Sequence, residues 1–135
     1  MSVKHSIDME TPPGRVLVEL SFINQGRTTV WIPRELAAGD ALTGARFDVR
    51  DAGGKPVRYT GRMVKRAAPT GADYQPLEPG KTLTNTIDIT NAYAFAAGRH
   101  NYHLGYAGPV LADLQQLDKP LEFPARPVSF IANLQ

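Results

Sequence analysis

The sequence predicts an all-β protein: an immunoglobulin-like Greek-key β-sandwich of seven to nine strands, with at most one short helix near 110–118. Three observations carry the expectation. Short stretches alternate apolar and polar residues, most clearly Val16, Val18, Leu20 and Phe22 against Leu17, Glu19, Ser21 and Ile23. Turn signals rich in Gly, Pro, Asn and Asp separate these stretches at intervals of roughly 8 to 15 residues. The segment from Leu77 to Tyr106 reads as a tight turn, a strand, a corner carrying Tyr93 and a second strand. In that turn Pro79 supplies a fixed φ and Gly80 the positive φ of a type II turn.

In chain order, residues 2 to 10 form a first edge strand with Val3, Ile7 and Met9 on one side, stopped by Thr11-Pro12-Pro13-Gly14. A core strand runs from Arg15 to Asn24, and Asn24-Gln25-Gly26-Arg27 turns into a β-branched and aromatic run, Thr28 to Pro33. No period survives between Arg34 and Gly44, which reads as a loop with one helical turn. Ala45 to Arg50 alternates again, with Phe47 and Val49 inward, and Asp51-Ala52-Gly53-Gly54 is a hairpin connection. An extended segment spans Lys55 to Ala67, with Val57, Tyr59 and Met63 on one parity, Arg58, Arg62 and Arg66 on the other, and Gly61 at a bend. Pro69 to Gln75 is a polar loop. The next strand, Thr82 to Thr90, places Leu83, Ile87 and Ile89 on one face, with Asn85 as the member that breaks the pattern. After Gly98 to Tyr106 the Gly108-Pro109 pair ends the strand, and Leu111, Leu114 and Leu117 at a spacing of three suggest the short helix. Three prolines make Lys119 to Pro127 an irregular connector, and Val128 to Leu134 closes the chain as a strand.

The 135 residues suit one domain, residues 1–135, large enough to bury a core without cross-links. With no cysteine, a disulfide scaffold and thiolate metal sites are excluded. A net charge of +2 is too small to indicate nucleic acid as a partner. Residues 1 to 9 contain no unbroken apolar run of the signal-peptide kind, and no stretch reaches the roughly 20 residues of a membrane span. The expected compartment is cytoplasmic for the chain as written, and periplasmic or secreted if a leader has been removed.

No residues are nominated for catalysis. The three histidines are His5, His100 and His103; the last two have opposite parity on one strand and cannot share an ion, and all three are expected at the surface or rim. There is no His-Glu-x-x-His, no calcium loop and no Gly-x-Ser-x-Gly around Ser2, Ser6, Ser21 or Ser129. The expectation is a protein without enzymatic activity, metal or cofactor. One feature is basic: Arg46, Arg50, Lys55, Arg58, Arg62, Lys65 and Arg66 stand against only Asp48 and Asp51. Guanidinium groups pair in bidentate fashion with carboxylates, so such a row suits an acidic partner surface; charged side chains also belong on any solvated strand face. Aromatic residues do not interleave with the row as a nucleic-acid stacking platform requires, and Trp31 reads as core or inter-sheet filler.

The run Val64-Lys65-Arg66-Ala67-Ala68-Pro69, then Tyr74, Leu77, Pro79-Gly80, Leu83, Ile87-Asp88-Ile89, Ala92-Tyr93, Phe95, Gly98 and Tyr102, resembles the non-catalytic β-domain that precedes the protease in deuterolysin-type peptidyl-lysine metalloendopeptidases. The likeness is good over residues 61 to 106 and partial over 15 to 60. Those proteases continue into a zinc domain with His-Glu-x-x-His, which these residues lack, so the resemblance implies a free-standing relative of the propeptide-like domain. It implies a protein that covers the cleft of a zinc metalloprotease in trans, as an inhibitor, immunity-type or chaperone-like partner. The contact residues expected are Arg58, Arg62, Lys65 and Arg66, with Tyr74 on the adjacent loop. The competing class is a structural or adhesive sandwich that binds carbohydrate or a protein surface; a hydrolase assembled from dispersed residues is a third.

Overall fold

A computed structural model describes residues 2–64 and 70–135. Its elements in order are β1 (Val3–Glu10), β2 (Leu17–Asn24), β3 (Val30–Pro33), α1 (Arg34–Ala38), β4 (Asp48–Asp51), a 3₁₀ turn (Gly71–Asp73), β5 (Tyr74–Leu77), β6 (Thr82–Asp88), β7 (Gly98–Tyr106), β8 (Pro109–Val110), β9 (Leu121–Glu122) and β10 (Ala125–Leu134). Two antiparallel three-stranded sheets, ordered β1-β2-β6 and β10-β7-β4, make up the sandwich. That division of the strands is the immunoglobulin-type Greek key.

Alternation puts the apolar half of each strand between the sheets. In the first sheet Ile7 stands opposite Leu20 and Val18 opposite Ile87; in the second, Leu104 is flanked by Val49 and Val128. Val16, Val18, Phe22, Ile87 and Leu104 are all wholly buried. At about 25 cal/mol per Å² of apolar surface, burying side chains of this size contributes roughly 1.5–3 kcal/mol each before the cost of ordering the chain. Two smaller ladders, β3 with β5 and β8 with β9, flank the body. Trp31 and Leu111 join them by exchanging main-chain hydrogen bonds of 2.8 and 2.9 Å. Trp31 itself is half-buried.

The organising turn forms as its residues dictate. Lys81 N–H donates to the Glu78 carbonyl at 3.1 Å, with Gly80 at φ +75°. The fully buried Asn24 fastens this turn to the sheet. Its side-chain amide donates to the carbonyls of Thr28 and Leu77, both at 2.8 Å, its carbonyl oxygen accepts Gly26 N–H, and its main chain bonds Gly80 and Lys81. Tyr93 closes the corner between the sheets. Its hydroxyl donates to the Phe47 carbonyl at 2.9 Å and accepts Phe47 N–H at 3.0 Å. Burial lifts that phenol to about 12, against the opposing pull of the Phe47 bond.

Asn85, the irregular member of β6, caps a helix. Its amide donates to the carbonyls of Leu36 and Gly39 at 2.9 and 2.7 Å, satisfying the free C-terminal end of α1 beside the sheet edge. The single helical turn expected after Arg34 is α1 itself.

Four expectations are corrected. No helix spans 110–118: Leu111 is held in a bridge with Trp31, and the Asp113 side chain and carbonyl accept Gln115 and Gln116 N–H, drawing the chain into turns. The segment 119–127 is more ordered than three prolines suggest, since β9 lies within it and β10 begins at Ala125, with a bulge before Val128. The described residues therefore form ten strands rather than seven to nine, two of them only two residues long. Finally, His5 is neither surface nor rim: it is 8% exposed, on the inward parity of β1 with Val3 and Ile7. No helix among the described residues is long and apolar enough to cross a membrane.

Candidate functional site

Of the expected contact residues, Arg58 and Arg62 fall on a loop system strapped to the Tyr93 corner. Segment 55–60 leaves β4 through the hairpin at Asp51–Lys55 and carries isolated bridges, Pro56 with Arg50 and Tyr59 with Tyr93. Ala94 N–H donates to the Arg58 carbonyl at 2.8 Å, and Thr60 and Gly61 N–H both donate to Ala92 at 2.8 and 3.0 Å. The Tyr59 ring meets Tyr93 edge-on at 5.3 Å, and its hydroxyl reaches the Arg62 carbonyl at 2.5 Å. Val64 N–H is held by the Thr43 carbonyl at 3.0 Å.

Main-chain bonds thus fix the path while the side chains of Arg58 and Arg62 stay exposed, and among the described residues neither is spent on an ion pair. Lys65 and Arg66 lie outside the described residues. The rest of the basic row is largely neutralised. Arg46 donates to Glu35 at 2.8 Å, and Arg50 donates to Asp48 and to the Gly54 carbonyl, each at 3.1 Å. Strand parity does not place the arginines, because 55–64 is not a regular strand. Met63, expected inward, is 76% exposed, since the bend at Gly61 breaks the alternation. With Val64 also exposed, the surface beside Arg62 is cationic and apolar together, a composition that suits a protein interface better than a purely solvated face.

Tyr74 opens β5 opposite Pro33 and is half-buried. Burial and then the neighbouring Asp73 carboxylate raise its phenol above the ordinary value. The Arg34 guanidinium sits beneath it, donating to the carbonyls of Ala72 and Tyr74 at 3.1 and 3.0 Å. Thr43 links the two parts. It holds Val64 and borders the depression formed with Arg34, Ala72 and Asp73, so Arg62 and Tyr74 belong to one end of the molecule.

Sequence reasoning missed the residue that anchors this end. The Glu35 carboxylate, 8% exposed, accepts Thr43 N–H at 2.5 Å, the Thr43 hydroxyl at 2.6 Å and Arg46 at 2.8 Å. Burial alone would raise its pKa, but these donors outweigh it and hold the carboxyl below its ordinary range. An acidic residue in the first turn of a five-residue helix carries no sequence mark of such a role.

Other chemistry-bearing groups do not converge. Among the described residues no three His, Cys, Asp or Glu side chains gather as a metal site would need. Ser129 and His103 share a 2.8 Å hydrogen bond on the exposed outer face of the second sheet, in one row with Arg50, with no carboxylate bonded to the imidazole among the described residues. His100 bonds its own loop at the Ala97 carbonyl.

No family model matches the chain. It is 33% identical over 97 residues to an extracellular protease of Aeromonas hydrophila, an alignment covering 72% of this chain and 27% of the protease. The chain therefore spans about a quarter of that relative's length.

Proposed function

We propose that this sandwich is a non-enzymatic partner of a zinc metalloprotease, an inhibitor, immunity-type or chaperone-like protein whose contact surface is the loop end carrying Arg58, Arg62 and Tyr74. The observation that carries the reading is the sequence relation to an extracellular protease over only 27% of its length. A segment that small, folded as a sandwich, fits an accessory part better than a peptidase body. The exposed cations next to Met63 and Val64 supply the recognition chemistry, guanidinium groups for carboxylates around a cleft and an apolar contact to exclude water. Assignment to the deuterolysin type rests on the motif from Val64 to Tyr102.

The test is inhibition of, and binding to, a purified deuterolysin-type metallopeptidase by the intact chain and by Arg58→Glu/Arg62→Glu. Stoichiometric inhibition that weakens at least tenfold on charge reversal, with the melting temperature unchanged, supports the reading. No binding, or affinity indifferent to the reversal, removes it.

A further inference from the structure

Beside the sandwich body the β3–β5 and β8–β9 ladders make one small sheet, joined where Trp31 and Leu111 bond to each other. Its two faces differ in kind. Val30, Ile32, Leu77 and Val110 share one parity and are buried in the sandwich core. The other parity carries Trp31 opposite Pro76 and Tyr74 opposite Pro33, and the register through Leu111, continued by two residues, sets Pro109 beside Pro33. Pro76 is exposed and the other four are half-buried. Neither Trp31 nor Tyr74 is among the side chains packed into the core, so Trp31, expected as core or inter-sheet filler, stands on an outer surface of aromatic rings and prolines.

The polar groups at the centre of this surface are donors. Among the described residues neither the Trp31 indole N–H nor the Tyr74 hydroxyl has a protein partner, and neither ring touches another aromatic. The prolines contribute no N–H. The Asp73 carboxylate next to Tyr74 is turned to its own 3₁₀ turn, where it accepts Thr70 N–H at 2.8 Å. One carboxylate stands at the margin: Glu122, opposite Pro109 on β9, is exposed and among the described residues has no ion pair.

A ligand that matches this surface is built of apolar rings and hydrogen-bond acceptors. A proline-rich segment in the polyproline II form has that composition: its carbonyls make no internal hydrogen bonds, its prolines lack N–H, and aromatic-lined surfaces are where such segments dock. Sugar hydroxyls donate as well as accept, and the centre would leave most of their protons without an acceptor. We infer that this face binds a proline-rich segment of another protein, its carbonyls accepting from Trp31 and Tyr74 and a lysine or arginine beside the prolines meeting Glu122. The inference does not rest on the protease reading; the two surfaces share Tyr74 but neither Arg58 nor Arg62.

Trp31 is the only tryptophan and reports on its own face. Titration with a decapeptide of one arginine followed by prolines should change its emission saturably, while a decapeptide of one arginine followed by alternating glycine and serine should not. Anisotropy of the labelled proline peptide should show affinity at least tenfold weaker for Tyr74→Ala with the melting temperature unchanged, and at least threefold weaker for Glu122→Lys, which should then prefer a peptide headed by glutamate. If Tyr74→Ala does not fold, Tyr74→Phe, which keeps the ring and drops the donor, takes its place with an expected loss of about threefold. Arg58→Glu/Arg62→Glu should bind the peptide within twofold of wild type, so failure here is told apart from failure of the protease reading. Absence of a saturable response, equal binding of the glycine-serine peptide, affinity indifferent to the Tyr74 and Glu122 substitutions, or a response to cellohexaose without one to the proline peptide overturns the inference.

Discussion

Replacing Tyr93 by Phe removes one oxygen and nothing else. That oxygen donates to the Phe47 carbonyl at 2.9 Å and accepts Phe47 N–H at 3.0 Å, in a site where Tyr93 is 4% exposed. Two hydrogen bonds contribute about 0.5–1.5 kcal/mol each, and a buried main-chain group left without a partner costs about 1–3 kcal/mol. Partial relaxation of the loop before β4 puts the expected loss at about 2–4 kcal/mol. For a chain of this length, unfolding entropy near 2.1 cal/mol/K per residue converts this into a fall in melting temperature of roughly 7–14 °C. Thermal and urea unfolding followed by circular dichroism measures it, with the urea slope unchanged if only stability is affected. A fall below about 2 °C refutes the idea that this hydroxyl locks the two sheets. Spectrophotometric titration supplies an independent check. The wild-type protein should show two phenols ionising well above the ordinary range, Tyr93 near 12 and the more deeply buried Tyr106 higher still, and the variant should show only the second.

His5 makes the fold sensitive to acid. Burial lowers its affinity for a proton below the ordinary 6.5, with the Phe123 bond opposing, so the folded chain binds fewer protons than the unfolded one. Its contribution is complete above 6.5 and is lost as pH falls below it; urea midpoints should drop between pH 7.5 and 5, and His5→Gln should flatten that drop. Gly108→Ala should be severe. Gly108 lies at φ +68°, and a Cβ there would stand 2.2 Å from the Phe123 carbonyl oxygen and 2.5 Å from the His5 ring. A loss above about 3 kcal/mol is expected, against about 1 kcal/mol for Gly14→Ala, where φ is also positive but the space is open. Equal urea midpoints for the two alanine variants would refute the steric account.

What the sequence made legible was whatever depends on local pattern. Val16 to Phe22 show their burial by alternation, Pro79-Gly80 state their turn, and Tyr93 announces a corner by its place between two strands. What stayed hidden depends on distant partners. Asn24 reads as the start of a turn and Asn85 as a break in an apolar face, yet one binds the Leu77 carbonyl of β5 and the other caps α1. His5 is a polar residue on an inward parity, and only the arrival of the Phe123 carbonyl, 118 residues later, makes that placement tolerable. The leucine triplet at 111, 114 and 117 has helical spacing but sits beside Asp113, whose side chain offers the main chain a competing bond. For the candidate site, charge was visible and its neutralisation was not. Nothing local tells that Arg46 is spent on Glu35 while, among the described residues, Arg58 and Arg62 have no ion pair.

The loop end and the corner are mechanically one unit, which allows charge and position to be separated as causes of any recognition. Tyr59 lies on Tyr93, while Thr60, Gly61 and Arg58 are bonded to Ala92 and Ala94, so loosening Tyr93 shifts the segment that presents Arg62 and Met63. Arg62→Glu changes charge without touching the straps. Its effect on partner affinity should fade between about 0.15 M and 1 M salt, where the screening length falls from roughly 8 to 3 Å, and it should leave the melting temperature unchanged. Tyr93→Phe keeps every charge, so an affinity loss in that variant should persist at high salt and follow its stability loss. If both variants lose affinity with the same salt dependence, position and charge are not separable in this loop, and the corner does not act by holding the arginines in place.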